Sequence, residues 1–357
     1  MTDHRYALIM AGGRGTRFWP RSRKRSAKQV LPFFGEQTLI QQTVARLEPL
    51  VTPDRIWIIT NEYLREQIQQ QLPAVPRAQI IAEPAQRNTA PCIALTAQLL
   101  HHTDPRAVMG VFPADHLITR EDRLRRYAEA AYQSAETNDV VVLGIQPRWA
   151  ETGYGYIEFP KDVAPGSGET IRVVSFREKP DSKTAARFVE AGNFFWNAGM
   201  FFWRAARVLD LMREHLPKTA DLISRLPGLQ SGHFESALTD LYPQCENISI
   251  DYAVIEKAKN VSGIPLDDIG WNDVGSWDAV YELAQKDEQG NANTGEVLTL
   301  ASSGNYVSAQ KLVALVGVDH LVVVDTPDAL LVVNRSKAQD VSKIVKLLEA
   351  QNREELL

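Results

Sequence analysis

The sequence predicts an α/β protein in which a mixed, mainly parallel β-sheet is flanked by helices and followed by a smaller β-rich domain. Three features support this fold class. Short β-branched runs alternate with amphipathic stretches through 6–144, extended segments dominate from about 151, and short β runs return after a polar stretch at 285–294. Strands that alternate with amphipathic helices form βαβ units, whose sheets are mostly parallel. We therefore expect a large domain over 1–285 and a small β-rich domain over 286–357.

The first half of the chain supplies the regular part of this sheet. Apolar, β-branched runs predict strands at 6–10, 55–60, 79–82, 108–112 and 140–144. Apolar residues at helical spacing predict helices at 38–50, 62–72, 90–101 and 124–137. Ligands bind beyond the carboxyl ends of parallel strands, so the segments of interest are 11–17, 83–91 and 113–116.

The second half of the chain is less regular. Extended segments at 154–159, 171–177 and 195–203 predict a second half-sheet, interrupted by helices near 182–191 and 206–215. The stretch 285–294 is rich in turn formers and lacks apolar periodicity, which predicts a linker. Runs at 297–300, 313–318, 321–324 and 330–333 then predict short strands, and 337–348 predicts a terminal helix. No repeat here is clear enough to establish a β-helix from the sequence itself.

The composition is that of a globular protein with a substantial core. The 357 residues are 44% hydrophobic and 23% charged, with a net charge of −5, which gives no general attraction to nucleic acid. No signal-peptide core and no run of roughly 20 apolar residues is present, so we expect a cytoplasmic protein without membrane association. Cys92 and Cys245 are the only cysteines, and we expect two buried thiols rather than a disulfide or a metal site.

The most informative segment is the glycine loop AGGRGTR at 11–17, directly after the first strand. Glycines let backbone N–H groups approach phosphate oxygens closely, although tight turns also use glycine for conformational reasons alone. The pattern is neither a Walker loop nor a dinucleotide fingerprint. Seven cations lie in and after the loop, with no acid before Glu36: Arg14, Arg17, Arg21, Arg23, Lys24, Arg25 and Lys28. We expect Arg17 and Lys28 to contact phosphate, and the cluster at 23–25 to be solvated surface.

Two aspartates are candidate ligands for a cation that would accompany a polyphosphate. Asp115 follows a strand in the motif PADH, and Asp273 lies in WNDVGSW, a turn bounded by glycine and tryptophan. One or two carboxylates commonly anchor Mg²⁺ beside substrate phosphates. The alternative is that each aspartate only caps a helix or a turn. His116 lacks a partner at metal-binding spacing, which favours a structural role.

Four further motifs are open to two interpretations. The loop EPAQRNTAP at 83–91 could present amides and a guanidinium to a base edge, or simply cap the next helix through Asn88 or Thr89. GYGYI at 153–157, FREKP at 176–180 and WNAGMF at 196–201 could be strands with a surface ion pair. Taken together, they indicate a polyol site in which a lysine meets a phosphate.

These motifs, together with FWPRSR, KQ and SIDYAVIEK and in this order along the chain, resemble the sugar-1-phosphate nucleotidyltransferases, and within them the enzymes that use GTP and mannose 1-phosphate. The resemblance covers the chain from about residue 6 to its end. It implies a Rossmann-like nucleotide-diphospho-sugar transferase fold with a small, left-handed β-helix-like C-terminal domain, often used in dimerisation. The implied reaction converts GTP and mannose 1-phosphate to GDP-mannose and diphosphate, with Mg²⁺ as cofactor and a homodimer as the assembly.

The resemblance also implies roles for particular residues. Asp115 and Asp273 match metal ligands, and Arg17, Lys28 and Lys179 match catalytic cations. The sugar-phosphate site comprises Gly155, Glu178, Lys179 and Asn197. The nucleotide site comprises Ala11, Gly12, Gly13, Arg14, Gly15, Thr16, Arg17, Lys28, Glu83, Arg87, Asn88 and Thr89.

Two positions depart from the family pattern: Ala27 precedes Lys28 where relatives commonly carry proline, and Arg14 stands where they often carry a small residue. No cupin-like isomerase domain follows, so we expect a single activity. The alternatives are a transferase for another sugar or nucleotide, a catalytically silent regulatory homologue, and a nucleic-acid binder. Both candidate metal carboxylates are present, which argues against the silent homologue. Few aromatics interleave with the basic run, which argues against nucleic-acid binding.

Overall fold

The computed structural model describes residues 4–137 and 140–357. The chain divides into two compact units. The first unit comprises the chain up to Gly12, Val44–Ala114 and Ile118–Trp271. The second comprises Gly13–Thr43, Asp115–Leu117 and Asn272–Leu357. The second unit thus includes most of the glycine loop and Asp115, while the domain boundary at 285/286 stays a prediction.

The strands and helices of the described residues follow the chain in alternation through its first half. The strands are β1 (Arg5–Met10), β2 (Ile56–Asn61), β3 (Ile80–Glu83), β4 (Val108–Pro113), β5 (Leu117–Ile118), β6 (Val140–Ile145), β7 (Tyr156–Glu158), β8 (Ile171–Arg172), β9 (Ser175–Arg177), β10 (Phe194–Arg204), β11 (Val261–Pro265), β12 (Trp271–Asn272), β13 (Ala292–Thr294), β14 (Val297–Leu300), β15 (Tyr306–Ser308), β16 (Val313–Val316), β17 (Leu321–Asp325) and β18 (Leu330–Asn334). The α-helices are α1 (Leu39–Leu47), α2 (Glu62–Gln71), α3 (Thr89–Thr103), α4 (Glu121–Ala135), α5 (Ser182–Ala191), α6 (Ala205–His215), α7 (Pro217–Ser224), α8 (Phe234–Leu241), α9 (Trp277–Leu283) and α10 (Val341–Ala350). In the described part of the chain, no helix is both long and apolar enough to cross a membrane.

The first unit is built on one mixed sheet with the main order β3-β2-β1-β4-β10-β6-β11-β8. Strands β3, β2, β1 and β4 are mutually parallel, whereas β10 runs antiparallel to both of its neighbours. Most residues of their apolar runs are buried, as expected where helices cover a parallel sheet on both faces. Helix α3 is buried along most of its length and carries Cys92, one of two buried free thiols. The predicted fold class and the state of the cysteines are confirmed.

The β-rich part of the second unit consists of short stacked strands. Strands β13, β15 and β17 pair in parallel, as do β14 and β16, which is the pairing of a β-helix-like stack. The Asn305 side chain donates to Asn291 Oδ1 (3.0 Å) and accepts from the backbone N–H of Leu321 (2.9 Å), residues 14 and 16 positions away. This asparagine ladder links successive levels of the stack.

The prediction of a linker over 285–294 is wrong for its last residues, 291–294. Asn291 is buried and Ala292–Thr294 forms β13, the first strand of the stack. The reason is that asparagine amides, read as turn formers in the sequence, satisfy the buried backbone groups of the ladder. The terminal helix is confirmed but begins later, at Val341, after a 3₁₀ segment over Arg335–Asp340.

Candidate functional site

The glycine loop has one glycine whose backbone conformation no other residue adopts readily. Gly15 has φ 61°, and a Cβ there would lie 2.7 Å from Ser22 Oγ and 2.8 Å from Lys28 Cβ. A Cβ on Gly13, by contrast, would meet no atom within 4 Å. Gly15 therefore lets the chain fold back tightly against the segment that carries Lys28.

The loop backbone in the second unit is held by hydrogen bonds from the residues that follow it. The Ser22 hydroxyl donates to the Arg14 carbonyl (3.0 Å), and the Gln29 amide donates to the Gly13 carbonyl (3.0 Å). The Phe18 N–H donates to the Gly15 carbonyl (2.9 Å) and opens a short 3₁₀ turn. These bonds use the carbonyl groups of the loop.

Lys28, Asp115 and Asp273 come together in the second unit although they are far apart in sequence. The Lys28 side chain is only 6% exposed, and its Nζ donates to Asp115 Oδ2 (2.9 Å) and to the backbone carbonyl of Asp273 (2.6 Å). The structure thus gathers the predicted phosphate lysine and both predicted metal ligands into one cluster. An ammonium group lies where two residues offer oxygen ligands.

The electrostatics of this cluster keep Asp115 ionised. Burial by itself would raise the pKa of the Asp115 carboxyl, but the charges of Lys28 and His116 outweigh it and hold the pKa below its usual value. The carboxylate is therefore available to a cation at neutral pH. Its side chain is 39% exposed, so solvent and ligands can reach it.

Asp273 lies in a tightly constrained turn of the second unit. The next residue, Val274, is fully buried with φ 46°, an unusual conformation for a β-branched residue. Asn272 Oδ1 accepts from the Val274 N–H (2.7 Å), and a Cβ on Gly275 would lie 3.1 Å from Asp273 Oδ2. Backbone strain of this kind is typical of functional sites, where the surrounding structure maintains it.

The oxygen groups around Lys28 are of the kind that a hard divalent cation prefers. Within the described ranges, no group of three or more His, Cys, Asp or Glu side chains forms a metal cage. Asp115 instead offers a carboxylate and Asp273 a backbone carbonyl, and both already accept a hydrogen bond from the Lys28 ammonium. Mg²⁺ is commonly bound in this way, with phosphates and water completing its octahedron.

The other cations of the basic run differ from one another in their surroundings. Arg17 is exposed, while the Arg14 guanidinium pairs with Glu349 of α10 at 2.8 Å. Arg25 is also exposed, as expected. The prediction of solvated surface is wrong for Arg23, which is only 15% exposed and pairs with Asp328 at 2.9 Å. The acids that pair with Arg14 and Arg23 lie more than 300 positions away, so local sequence did not reveal them.

In the first unit, the loop at 83–91 begins with Glu83, a partly buried carboxyl group. Glu83 ends β3 and accepts a hydrogen bond from the Tyr242 hydroxyl, and a Cβ on Gly12 would lie 2.9 Å from Glu83 Oε2. Burial raises the pKa of Glu83 to about 7, although the Tyr242 hydrogen bond acts in the opposite direction. Gln86, which the sequence did not single out, donates to the Gly12 carbonyl (3.2 Å). This carboxyl therefore lies directly against the start of the glycine loop.

The polar residues that follow Glu83 make structural hydrogen bonds. Asn88 is the N-cap of α3, with φ 63° and its Oδ1 accepting from the Thr89 N–H (2.9 Å). Thr89 Oγ1 accepts from the Ile250 N–H (2.9 Å), and the Arg87 guanidinium donates to the Pro243 carbonyl. The capping interpretation is thus confirmed for Asn88, while a contact with nucleotide stays a prediction for all three residues.

The four predicted sugar-phosphate residues are brought together in the first unit. A Cβ on Gly155 would overlap the Glu178 carboxylate and lie 3.3 Å from Asn197 Cβ. The Asn197 N–H donates to the Gly155 carbonyl (2.8 Å). Lys179 has φ 44°, and its half-exposed ammonium lies 3.2 Å from Glu178 Oε1. The cluster offers one cation and several hydroxyl-binding oxygens.

Two further carboxylates complete this cluster, and sequence analysis did not select either. Asp251 Oδ1 accepts from the Asn197 side-chain amide (2.8 Å), and Glu256 Oε1 accepts from the Glu178 N–H (2.7 Å). Burial raises the pKa of both Glu178 and Asp251, and the Asp251 charge adds to the effect at Glu178. Among the described residues, Glu178 Oε2 is buried without a hydrogen-bond partner. The feature of the sequence that could have identified these two carboxylates is the motif SIDYAVIEK. Its acidic residues lie in and beside the π-helical segment Asp251–Ile255.

Comparisons with known proteins identify the family of the chain. The sequence matches the nucleotidyl transferase family over 6–290 and the mannose-phosphate isomerase/GMP-like β-helix domain over 295–348. Mannose-1-phosphate guanylyltransferase of Klebsiella pneumoniae is 38% identical over 98% of this chain and 74% of its own. Alginate biosynthesis protein AlgA of Pseudomonas syringae pv. tomato is 39% identical over 98% and 72%. The crystal structure of mannose-1-phosphate geranyltransferase from Thermus thermophilus superposes with a TM-score of 0.86 at 34% identity, covering 97% of this chain and all of that one.

Proposed function

Because the chain belongs to the nucleotidyl transferase family, we propose that it converts GTP and mannose 1-phosphate to GDP-mannose and diphosphate. The observation that carries the proposal is the cluster of Lys28 with Asp115 and Asp273, directly beyond a glycine loop. Such a cluster supplies the charge that a triphosphate requires. The sugar-binding cluster around Glu178 supplies hydroxyl acceptors and one cation.

The reaction needs positioning more than proton transfer. A phosphate oxygen of mannose 1-phosphate attacks the α-phosphorus in line, and diphosphate leaves from the opposite side. The nucleophile is already an anion at neutral pH, so no general base is required. Alignment of the two reactants contributes roughly 7–11 kcal/mol in favourable cases. The residues of this chain therefore act by binding and by neutralising charge.

Each cation has its own part in this scheme. Lys28, together with the exposed Arg17, stabilises the charge that develops on the leaving diphosphate. Lys179 holds the phosphate of the sugar. The Glu178 carboxyl group accepts hydrogen bonds from sugar hydroxyls, and the Asn197 amide can donate to them. The loop at 83–91 receives the guanine base, with the Glu83 carboxylate as an acceptor for its N–H groups.

Asp115 and Asp273 would hold Mg²⁺ with oxygen ligands from the substrates. When bound, the ion reduces the repulsion between the two phosphates that must approach each other. The Asp115 carboxylate stays ionised at neutral pH, as this role requires, since Lys28 keeps its pKa low.

The assembly we propose is a homodimer formed through the β-helix-like part. Leu298 and Leu300 of β14 are 58% and 66% exposed, and Val316 of β16, opposite Leu300 in the ladder, is 64% exposed. Exposed apolar faces of this kind mark interaction surfaces, and dimers are the commonest assembly. The free, buried state of both cysteines fits the reducing cytoplasm, where we place the protein.

The direct test is a panel of diphosphate-release assays. GTP, ATP, UTP and dTTP are each combined with mannose, glucose, fucose and heptose 1-phosphates, with Mg²⁺ in excess. We expect the highest kcat/KM for GTP with mannose 1-phosphate. A higher value for another pair identifies a sister transferase, and no release from any pair identifies a non-catalytic homologue.

A further inference from the structure

Three cations of the basic run are engaged by the C-terminal end of the same compact unit. Arg14 pairs with Glu349 (2.8 Å), Lys24 pairs with Glu354 (2.5 Å), and Arg23 pairs with Asp328 (2.9 Å). The proposed reaction uses none of these carboxylates. These carboxylates nevertheless contact the glycine loop, through Arg14, and the segment that follows it, through Arg23 and Lys24.

Arg23 is the centre of these contacts. Its guanidinium donates to the Leu356 carbonyl and to Asp328 Oδ1, and it lies 5.3 Å from the centre of the Trp19 ring. The Trp19 indole N–H donates to the same Leu356 carbonyl (2.9 Å). Trp19 and Arg23 therefore both donate to the Leu356 carbonyl group. Asp328 also accepts a hydrogen bond from the Arg23 guanidinium.

These contacts continue directly into the loop. Ser22, the neighbour of Arg23, donates to the Arg14 carbonyl (3.0 Å). Arg14 itself is held at its side chain by Glu349. Val345 of α10 and the buried Leu357 line a small cleft together with Arg14 and Thr16 of the loop. The side chain of Arg14 is thus anchored directly to the C-terminal end, and its backbone is bonded to Ser22, whose neighbour Arg23 contacts that end.

We propose that Glu349 and Asp328 are positioning residues, which hold Arg14 and Arg23 so that the glycine loop keeps the shape that receives the triphosphate. This inference rests on the proposed function for the identity of the nucleotide. The C-terminal part then contributes to nucleotide binding as well as to assembly. Preorganisation of this kind improves affinity because the loop loses less freedom on binding.

The test uses the variants Glu349→Gln and Asp328→Asn in the full chain, singly and combined. Asp340→Asn is the matched control, since this aspartate pairs with Lys343 one turn along α10 (2.8 Å). Three quantities are measured: the Kd for GTP by calorimetry, the KM values of both substrates, and hydrogen exchange of the backbone amides over 13–22 without ligand. Thermal unfolding confirms that every variant is folded.

We expect each single variant to weaken GTP binding about threefold to fivefold, as for loss of a partly exposed ion pair. Amide exchange over 13–22 should accelerate, and the KM for mannose 1-phosphate should stay within a factor of two. Unchanged GTP affinity and exchange in the double variant would overturn the proposal, as would equal losses in the control. If the wild-type protein does not bind GTP, the proposed function fails, while the exchange data still test the positioning role.

Discussion

Replacing Lys28 by methionine removes a cation from the place where a metal ion would bind. The Lys28 Nζ lies 2.9 Å from Asp115 Oδ2 and 2.6 Å from the Asp273 carbonyl oxygen. In the absence of nucleotide, a divalent cation must compete with this ammonium for the Asp115 carboxylate. In the proposed reaction, the same ammonium contacts the phosphates of the bound triphosphate. Methionine keeps the length and the apolar stem of the side chain, so the variant should fold.

The size of the effect follows from the contact. At an effective dielectric constant near 20, two unit charges about 2.9 Å apart attract by about 6 kcal/mol, before the cost of removing both from water. A hydrogen bond to a charged group has a net value of about 1.5–3 kcal/mol. The lower end applies because the Asp115 side chain is 39% exposed. About 1.5 kcal/mol corresponds to about a tenfold change in affinity.

We therefore expect Lys28→Met to bind Mn²⁺ about tenfold more tightly than the wild type when no nucleotide is present. Calorimetry or electron paramagnetic resonance of free Mn²⁺ measures this affinity. Turnover should fall by about 10²–10³-fold, because the leaving diphosphate loses a buried donor. Lys24→Met is the control, since Lys24 pairs with the exposed Glu354. Mn²⁺ affinity that is unchanged or weaker in Lys28→Met would refute the competition, and near-normal turnover would refute the role at phosphate.

Four other predictions concern single residues. Gly15→Ala should lower the free energy of unfolding by about 2 kcal/mol in urea titrations, because of its φ of 61° and the crowded Ser22 hydroxyl, whereas Gly13→Ala should change it by less than about 0.5 kcal/mol. Burial raises the pKa of Glu83 from 4.5 to about 7, so the folded state binds this proton more tightly and loses stability as the pH rises between those values. The free energy of unfolding of Glu83→Gln, relative to that of the wild type, should therefore rise by up to about 3 kcal/mol between pH 4.5 and pH 8. A variant that differs from the wild type by the same free energy at both pH values contradicts this. Lys179→Ala should raise the KM for mannose 1-phosphate about tenfold to hundredfold and leave that for GTP nearly unchanged, and unchanged kinetics with the sugar phosphate count against its role. Asp273→Asn should retain its fold and lose at least about a hundredfold in diphosphate release, while near-normal release at ordinary Mg²⁺ would sink the metal assignment.

Sequence reasoning succeeded where the signal is local. The alternation of apolar runs and amphipathic stretches predicted the parallel core of the first sheet, because burial on both faces requires nearly continuous apolar strands. The helix cap at Asn88 was also a local pattern. Lys28 and Asp115 were each selected as candidates by their chemistry, but their 2.9 Å contact required the fold.

The misses share a different cause, which is contact between residues far apart along the chain. Arg23 and Asp328 are 305 positions apart, so a cation that reads as solvated surface is in fact paired. Asparagine is a common turn former, so the sequence predicted a linker at Asn291. Its side chain instead donates to the Ser302 carbonyl and accepts from the Asn305 N–H, two backbone groups of the strand stack. Asp251 stood in a recognised motif, but only its hydrogen bond to Asn197 placed it in the cluster around Glu178.

The most direct test of the account is a competition in one tube. The full chain is incubated with Mg²⁺, equal concentrations of the four nucleoside triphosphates, and equal concentrations of mannose, glucose, fucose and heptose 1-phosphates, and the products are resolved by chromatography and mass spectrometry. We expect GDP-mannose as the main product, formed in equal amount with diphosphate. A predominance of any other nucleotide sugar, or diphosphate release without a nucleotide sugar, would contradict it.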